Sequence, residues 1–231
     1  MNRLHAVPTR RTFMQVMAGA TALVATPCGA ARPDGRAPMV AHAPVFFDAD
    51  EWRFLNAACA RLIPRDALGP DAVTLGVPRF IDLQMDTPYG RGQSWYMHAP
   101  FAEGPANLGY QLPYAPRDIY RVGIAGANAW CHNHEGSAFA ALLPARQDEV
   151  LAMMERGEMT FGNLPAAQFF EQLLSNTMEG AFADPIHGGN AGLRAWTMIG
   201  FPGARADFMD WVDQYGMKYP LGTVSISGES A

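Results

Sequence analysis

Apolar residues along this chain recur mainly at helical spacing and almost nowhere alternate as they would in a strand. Between Leu164 and Met178, Phe169 lines up with Leu173, Phe170 with Leu174, and Thr177 continues the first row, which predicts a helix. Leu55, Ala58, Cys59 and Leu62 define the buried face of another, which Asp48 or Asp50 can cap and Pro64 ends. Val77 to Met85 predicts a short helix with Pro78 in its first turn and Phe80, Ile81 and Leu83 for burial. A helix from Pro116 through Trp130 carries Asp118 near its positive end, and one from Pro144 continues through Val150, Leu151 and Met154. Asp207 to Tyr215, with Phe208, Trp211 and Val212, predicts a further helix; only Thr223 to Ser227 alternates. The expectation is an all-α, irregular single-domain helical fold over residues 46–216, with long loops rich in Gly, Pro and aromatics and a C-terminal tail over 217–231.

The interruptions carry as much information as the helices. From Gly180 the helical pattern breaks: Asp184-Pro185 opens a turn, Gly188 and Gly189 permit positive φ or close backbone approach, and Asn190 can cap the next helix. The pattern resumes with Leu193, Trp196 and Ile199 and stops at Gly200-Phe201-Pro202-Gly203. Such a loop either turns the chain tightly or presents backbone to a partner. Between Thr87 and Pro116, glycines and prolines interleave with Trp95, Tyr96, Phe101, Tyr110 and Tyr114. A loop this long suits a protein interface, since Trp and Tyr offer large contact area with a polar handle; the alternative is rings folded back on their own helices.

The net charge of −5, with no basic stripe, argues against a general nucleic-acid binder. Thr9-Arg10-Arg11-Thr12-Phe13-Met14 precedes a mild apolar run from Val16 to Ala25, which is short of the roughly 20 residues needed to span a bilayer. Residues 1–30 read as a twin-arginine export signal, with Arg10, Arg11 and Phe13 as its core, and 31–45 as an extended linker. Cleavage near Ala30 takes the net charge to −8. Twin-arginine export carries folded proteins, often with a cofactor inserted, yet this chain has no Gly-x-Gly-x-x-Gly after a strand, no haem-attachment Cys-x-x-Cys-His and no phosphate-binding Gly-x-x-x-x-Gly-Lys. The expectation is that a folded partner is the cargo. Cys59 and Cys131 remain beyond the signal, either as one disulfide or as two buried thiols.

Cys131-His132-Asn133-His134-Glu135 brings together imidazole, thiolate and carboxylate, the groups transition metals prefer. On a helix, however, His132 and His134 point to different faces. His132, His134 and Glu135 nevertheless define the rival reading, a stand-alone periplasmic metal enzyme. Glu179, Asp184 and His187 could form an acid/base group or could cap and fix the loop. His187-Gly188-Gly189 looks like an esterase oxyanion loop, but no Gly-x-Ser-x-Gly supplies a nucleophile.

Taken jointly, Glu179-Gly180, Asp184-Pro185, Gly188-Gly189-Asn190, Trp196 and Ile199-Gly200-x-Pro202-Gly203 resemble the hallmark of the gluconate 2-dehydrogenase subunit 3 family. Leu62-Ile63-Pro64, Gly76-Val77-Pro78 with Phe80-Ile81-Asp82, and Tyr120-Arg121 fit the same pattern, so the likeness runs from about Phe47 to Gly203. The resemblance implies a small, noncatalytic subunit that holds no cofactor of its own. Its implied partners are an FAD-containing flavoprotein of the glucose-methanol-choline type, which oxidises a sugar, sugar acid or polyol, and a multihaem cytochrome c subunit. It further implies a periplasmic complex peripheral to the inner membrane, attached through the cytochrome. On that reading the aromatic loop (Trp95, Tyr96, Tyr110) and the later loop (Glu179, Asp184, Pro185, His187, Gly188, Gly189, Asn190, Trp196) dock the flavoprotein.

Overall fold

The computed structural model describes residues 42–102, 104–206 and 208–231; the export signal, with Arg10, Arg11 and Phe13, and residues 31–41 of the linker lie outside them. The fold is mainly helical, as expected. Its helices are α1 (Ala49–Leu62), α2 (Val77–Met85), α3 (Pro116–Glu135), α4 (Pro144–Glu155), α5 (Ala166–Phe182) and α6 (Arg194–Ile199).

Helix starts follow the local chemistry. Asp48, not Asp50, caps α1: its carboxylate accepts from the Asp50 and Glu51 amides, and Glu51 reaches back to the Asp48 amide, closing a capping box. Pro78, Pro116 and Pro144 each sit in a first turn, where no intrahelical N–H is lost.

α5 is the hub, packing against α1, α2, α3 and α4. Phe169 on α5 is fully buried and meets the rings of Phe54, Tyr120 and Phe161 at centroid distances of 5.9, 6.0 and 6.2 Å. α3 can approach so closely because of Gly123: a Cβ there would lie 2.3 Å from the Phe169 ring.

Two stretches depart from the sequence expectation. A two-stranded antiparallel hairpin, β1 (Thr160–Phe161) with β2 (Leu164–Pro165), turns through Gly162-Asn163, where Gly162 has φ +65°. The helix expected over 207–215 is replaced by one 3-10 turn, Met209–Trp211. Its apolar spacing reflects a ring cluster instead: Phe208 and Trp211 both pack on Tyr219, at 5.6 and 5.4 Å.

Neither end of the body is loose. Val224 bridges Gly203 in parallel and Ser230 antiparallel, and Thr223 and Ser225 are buried, so part of the 217–231 tail belongs to the fold. At the other end, residues 42–47 are clamped rather than linker-like. The fully buried Asp82 carboxylate accepts from the Val45, Phe46 and Phe47 amides and pairs with His42 Nε2. Arg121 donates to the Phe46 carbonyl, pairs with Glu51 and lies 4.2 Å over the Phe46 ring. Among the described residues, no helix is long and apolar enough to cross a membrane.

Candidate functional site

The chain leaves α5 through a loop whose geometry is set by two polar side chains. One Asp184 oxygen accepts from the Ile186 amide at 3.1 Å and the other from the Ile226 amide at 2.8 Å, so one carboxylate ties the loop to the C-terminal segment. Asn190, left-handed at φ 46°, accepts from the Ala195 amide through Oδ1, while its own amide donates to Gly180 O at 3.0 Å. Ala191 N–H donates to Leu75 O, joining the loop to the start of α2. Trp196 follows, donating from Nε1 to Phe182 O at 2.7 Å and receiving the Phe201 ring on its own at 4.9 Å.

Of the two expectations for these glycines, this geometry favours the tight turn: Gly188, Gly189 and Asn190 are buried against their own chain. A Cβ on Gly189 would lie 2.0 Å from Gly180 O, and one on Gly188, whose φ is +100°, 2.9 Å from Leu83 Cδ1. Asp184 and Trp196 are buried as well. What the loop shows outward is Ile186, His187 and Arg194, with Pro185 half-buried beside them.

Glu179, Asp184 and His187 are not joined by hydrogen bonds among the described residues. Asp184 is engaged by two backbone amides, and Glu179 accepts from Asn176 Nδ2 at 2.8 Å. Asn176 is instead the hub of a buried network. Its Oδ1 accepts from Tyr120 Oη at 3.1 Å and Gln172 Nε2 at 2.7 Å, and its Nδ2 also donates to Tyr89 Oη at 3.0 Å. Burial pushes the Tyr120 phenol well above its ordinary range and raises that of Tyr89. Both stay neutral donors and acceptors, which suits a network that fixes α5 against α3.

The aromatic loop divides. Trp95 packs on Tyr110 at 4.9 Å and on Tyr89 at 6.3 Å, and Tyr110 Oη donates to Tyr114 O at 2.6 Å, so these rings fold back on the body. Tyr96 is 86% exposed. Trp95, Tyr96, Tyr110, Phe101 and Leu112 line an open cleft of about 260 Å³.

The end of α3 does not gather metal ligands. Glu135 accepts two hydrogen bonds from Arg146, at 2.5 and 3.0 Å, which holds its carboxyl below the usual range. His134 lies flat on Trp130 at 4.2 Å and engages the Trp130 carbonyl. Among the described residues, no three His, Cys, Asp or Glu side chains are grouped to hold a metal ion. The cysteines of the allowed disulfide are free, buried thiols: Cys59 Sγ faces Thr177 Oγ1 on α5 at 3.6 Å rather than Cys131. Burial pushes Cys59 up to about 12 and Cys131 to about 11.

Several functional candidates escape a reading of the sequence alone. Asp82 is signalled there only as one acid among the buried Phe80 and Ile81, and its partners lie about forty residues upstream. Arg79, Arg194 and Ile226 give no signal, because their significance comes from lying beside the 184–194 loop.

The family model for Gluconate 2-dehydrogenase subunit 3 matches residues 49–203, from α1 to the Gly203 bridge. No curated protein and no solved structure matches the chain. The matched span takes in α1 to α6, the buried network and the whole Asp184–Trp196 loop. This chain belongs to the gluconate 2-dehydrogenase subunit 3 family.

Proposed function

We propose that this chain is the small, noncatalytic subunit of a membrane-bound, FAD-dependent sugar, sugar-acid or polyol dehydrogenase, and that it carries the flavoprotein through twin-arginine export. FAD resides on the large chain and haem c on a cytochrome subunit, which holds the periplasmic assembly at the inner membrane. The carrying observation is the family match over the helical body, in a chain whose sequence opens with Arg10-Arg11 ahead of a short apolar run. The rival metal-enzyme reading has less support, because Arg146 holds Glu135 and, among the described residues, no three His, Cys, Asp or Glu side chains are grouped.

The test follows the flavoprotein, not this chain. With Arg10→Lys and Arg11→Lys together, the flavoprotein remains in the cytoplasm although its own sequence is unchanged. Normal periplasmic flavoprotein in that strain contradicts the escort role.

A further inference from the structure

On the subunit reading just given, the structure narrows where the flavoprotein binds and through what chemistry. We propose that the outer face of the 184–194 loop, flanked by Arg79 and Ile226, docks an apolar patch of the flavin-binding chain that presents carboxylates.

The first observation concerns charge. Most arginines of the described body have a fixed partner: Arg61 pairs with Asp148, Arg91 with Asp86, Arg121 with Glu51 and Arg146 with Glu135, while Arg117 lies over Phe46. Arg79 and Arg194 differ. Both are exposed, and among the described residues neither has an ion pair, hydrogen bond or ring contact. Both flank the same loop: Arg79 lies beside Gly188 and Arg194 beside Gly192, with His187 exposed between them in sequence. In a chain of net charge −5, two unpaired guanidinium groups at one loop present a fork geometry that matches carboxylates.

The second observation concerns shape. Ile186 is 60% and Ile226 68% exposed, and the Asp184 carboxylate fixes both of their amides. Phe201, 43% exposed, leans on Trp196 just after the loop. Asp184 itself is turned inward, with both oxygens taken up by backbone amides. The glycines and Asn190 hold this loop rigid from beneath, which keeps the ordering cost of binding low. An apolar centre beside unpaired cations has the anatomy of a protein interface. Anionic lipid is the poorer fit, since juxtamembrane recognition uses clusters of about four to eight basic residues.

The test titrates purified full chain against the purified flavin-containing chain at low and moderate salt. Arg79→Glu and Arg194→Glu each weaken binding about tenfold and flatten its salt dependence, while Arg79→Lys and Arg194→Lys, which keep the charge but lose the fork, weaken it about threefold and keep the salt dependence. Ile186→Ser with Ile226→Ser weakens binding about tenfold at every salt concentration. Thermal midpoints of the arginine variants stay close to the wild-type value, since neither side chain makes an ion pair or hydrogen bond among the described residues. Wild-type binding that survives all these changes within about twofold overturns the docking face and leaves the subunit reading standing. Failure of the wild-type chain to bind at all removes the subunit reading, and this inference with it. Sedimentation of wild type, but not Arg79→Glu/Arg194→Glu, with phosphatidylglycerol vesicles reassigns the face to lipid and also overturns the proposal.

Discussion

Asp82 and His42, forty residues apart in the chain, meet at 2.7 Å with the carboxylate wholly inside the fold. The same carboxylate accepts from three consecutive amides, Val45 to Phe47, so it fixes the arm preceding α1 to the face of α2. Asp82→Asn replaces one acceptor oxygen with a donor that faces N–H groups. The expected loss is about 3 kcal/mol, read as a thermal midpoint lower by roughly 10 °C. Protease cleavage between residues 42 and 47 becomes rapid in the variant. A wild-type midpoint would mean the clamp contributes nothing.

Gly189 and Gly180 touch backbone to backbone, leaving no room for a Cβ. Gly189→Ala forces the loop off α5 and costs about 1–3 kcal/mol in a urea titration. Gly136→Ala is the comparison: it has open space but φ +72°, and only the conformational cost of about 1 kcal/mol applies. Equal losses at the two positions would show that conformation, not contact, rules at Gly189.

Asn176 satisfies Tyr120, Gln172 and Tyr89 at once. Asn176→Leu leaves the buried Tyr120 hydroxyl without a partner and Gln172 and Tyr89 with only each other, and destabilises by about 3 kcal/mol, whereas Tyr120→Phe, which removes one donor, costs about 1 kcal/mol. A double variant less damaged than the sum of the two is expected, since both act on one network.

The helices are legible in the sequence because their signals are local: Asp48 three residues before Glu51, prolines in first turns, and Phe169 four before Leu173. The Gly162-Asn163 hairpin carries a two-residue turn signal between Phe161 and Leu164, but its strands are too short to alternate. Phe208, Trp211 and Val212 mislead because ring packing on Tyr219 imitates a helical face. The candidate site is half readable. Glycines announce close approach but not direction, and only the fold shows that Gly189 meets Gly180 while Arg79, over a hundred residues upstream, lies beside Gly188.

Cys59 and Cys131 are buried with raised pKa values, so neither presents a thiolate near neutrality. A thiol-specific reagent at pH 8 modifies them at least about a thousandfold more slowly in the native chain than in urea. Rapid labelling of the native chain would show that α1 and α3 open freely.

The same thiols give a pH dependence with a definite sign. Their folded pKa values of about 12 and about 11 lie above the ordinary 9.0, so the native state retains protons that the unfolded state loses first. The thiols' contribution is complete below pH 9 and is lost as pH rises from 9 to about 11 for Cys131 and about 12 for Cys59, with Cys59 contributing about 1.4 kcal/mol per pH unit in that window. Urea midpoints at pH 8 and pH 10.5 measure the fall, and Cys59→Ala makes it shallower. A flat profile would contradict the burial of both thiols in the native state.

The most direct measurement is affinity purification of the tagged full chain from its native membrane and periplasm, with an absorbance spectrum and mass identification of the eluted material. The account predicts a flavin spectrum and a larger chain in fixed ratio with this one, with haem bands when the membrane fraction is included. A colourless chain purified alone, from cells shown to make the flavoprotein, contradicts it.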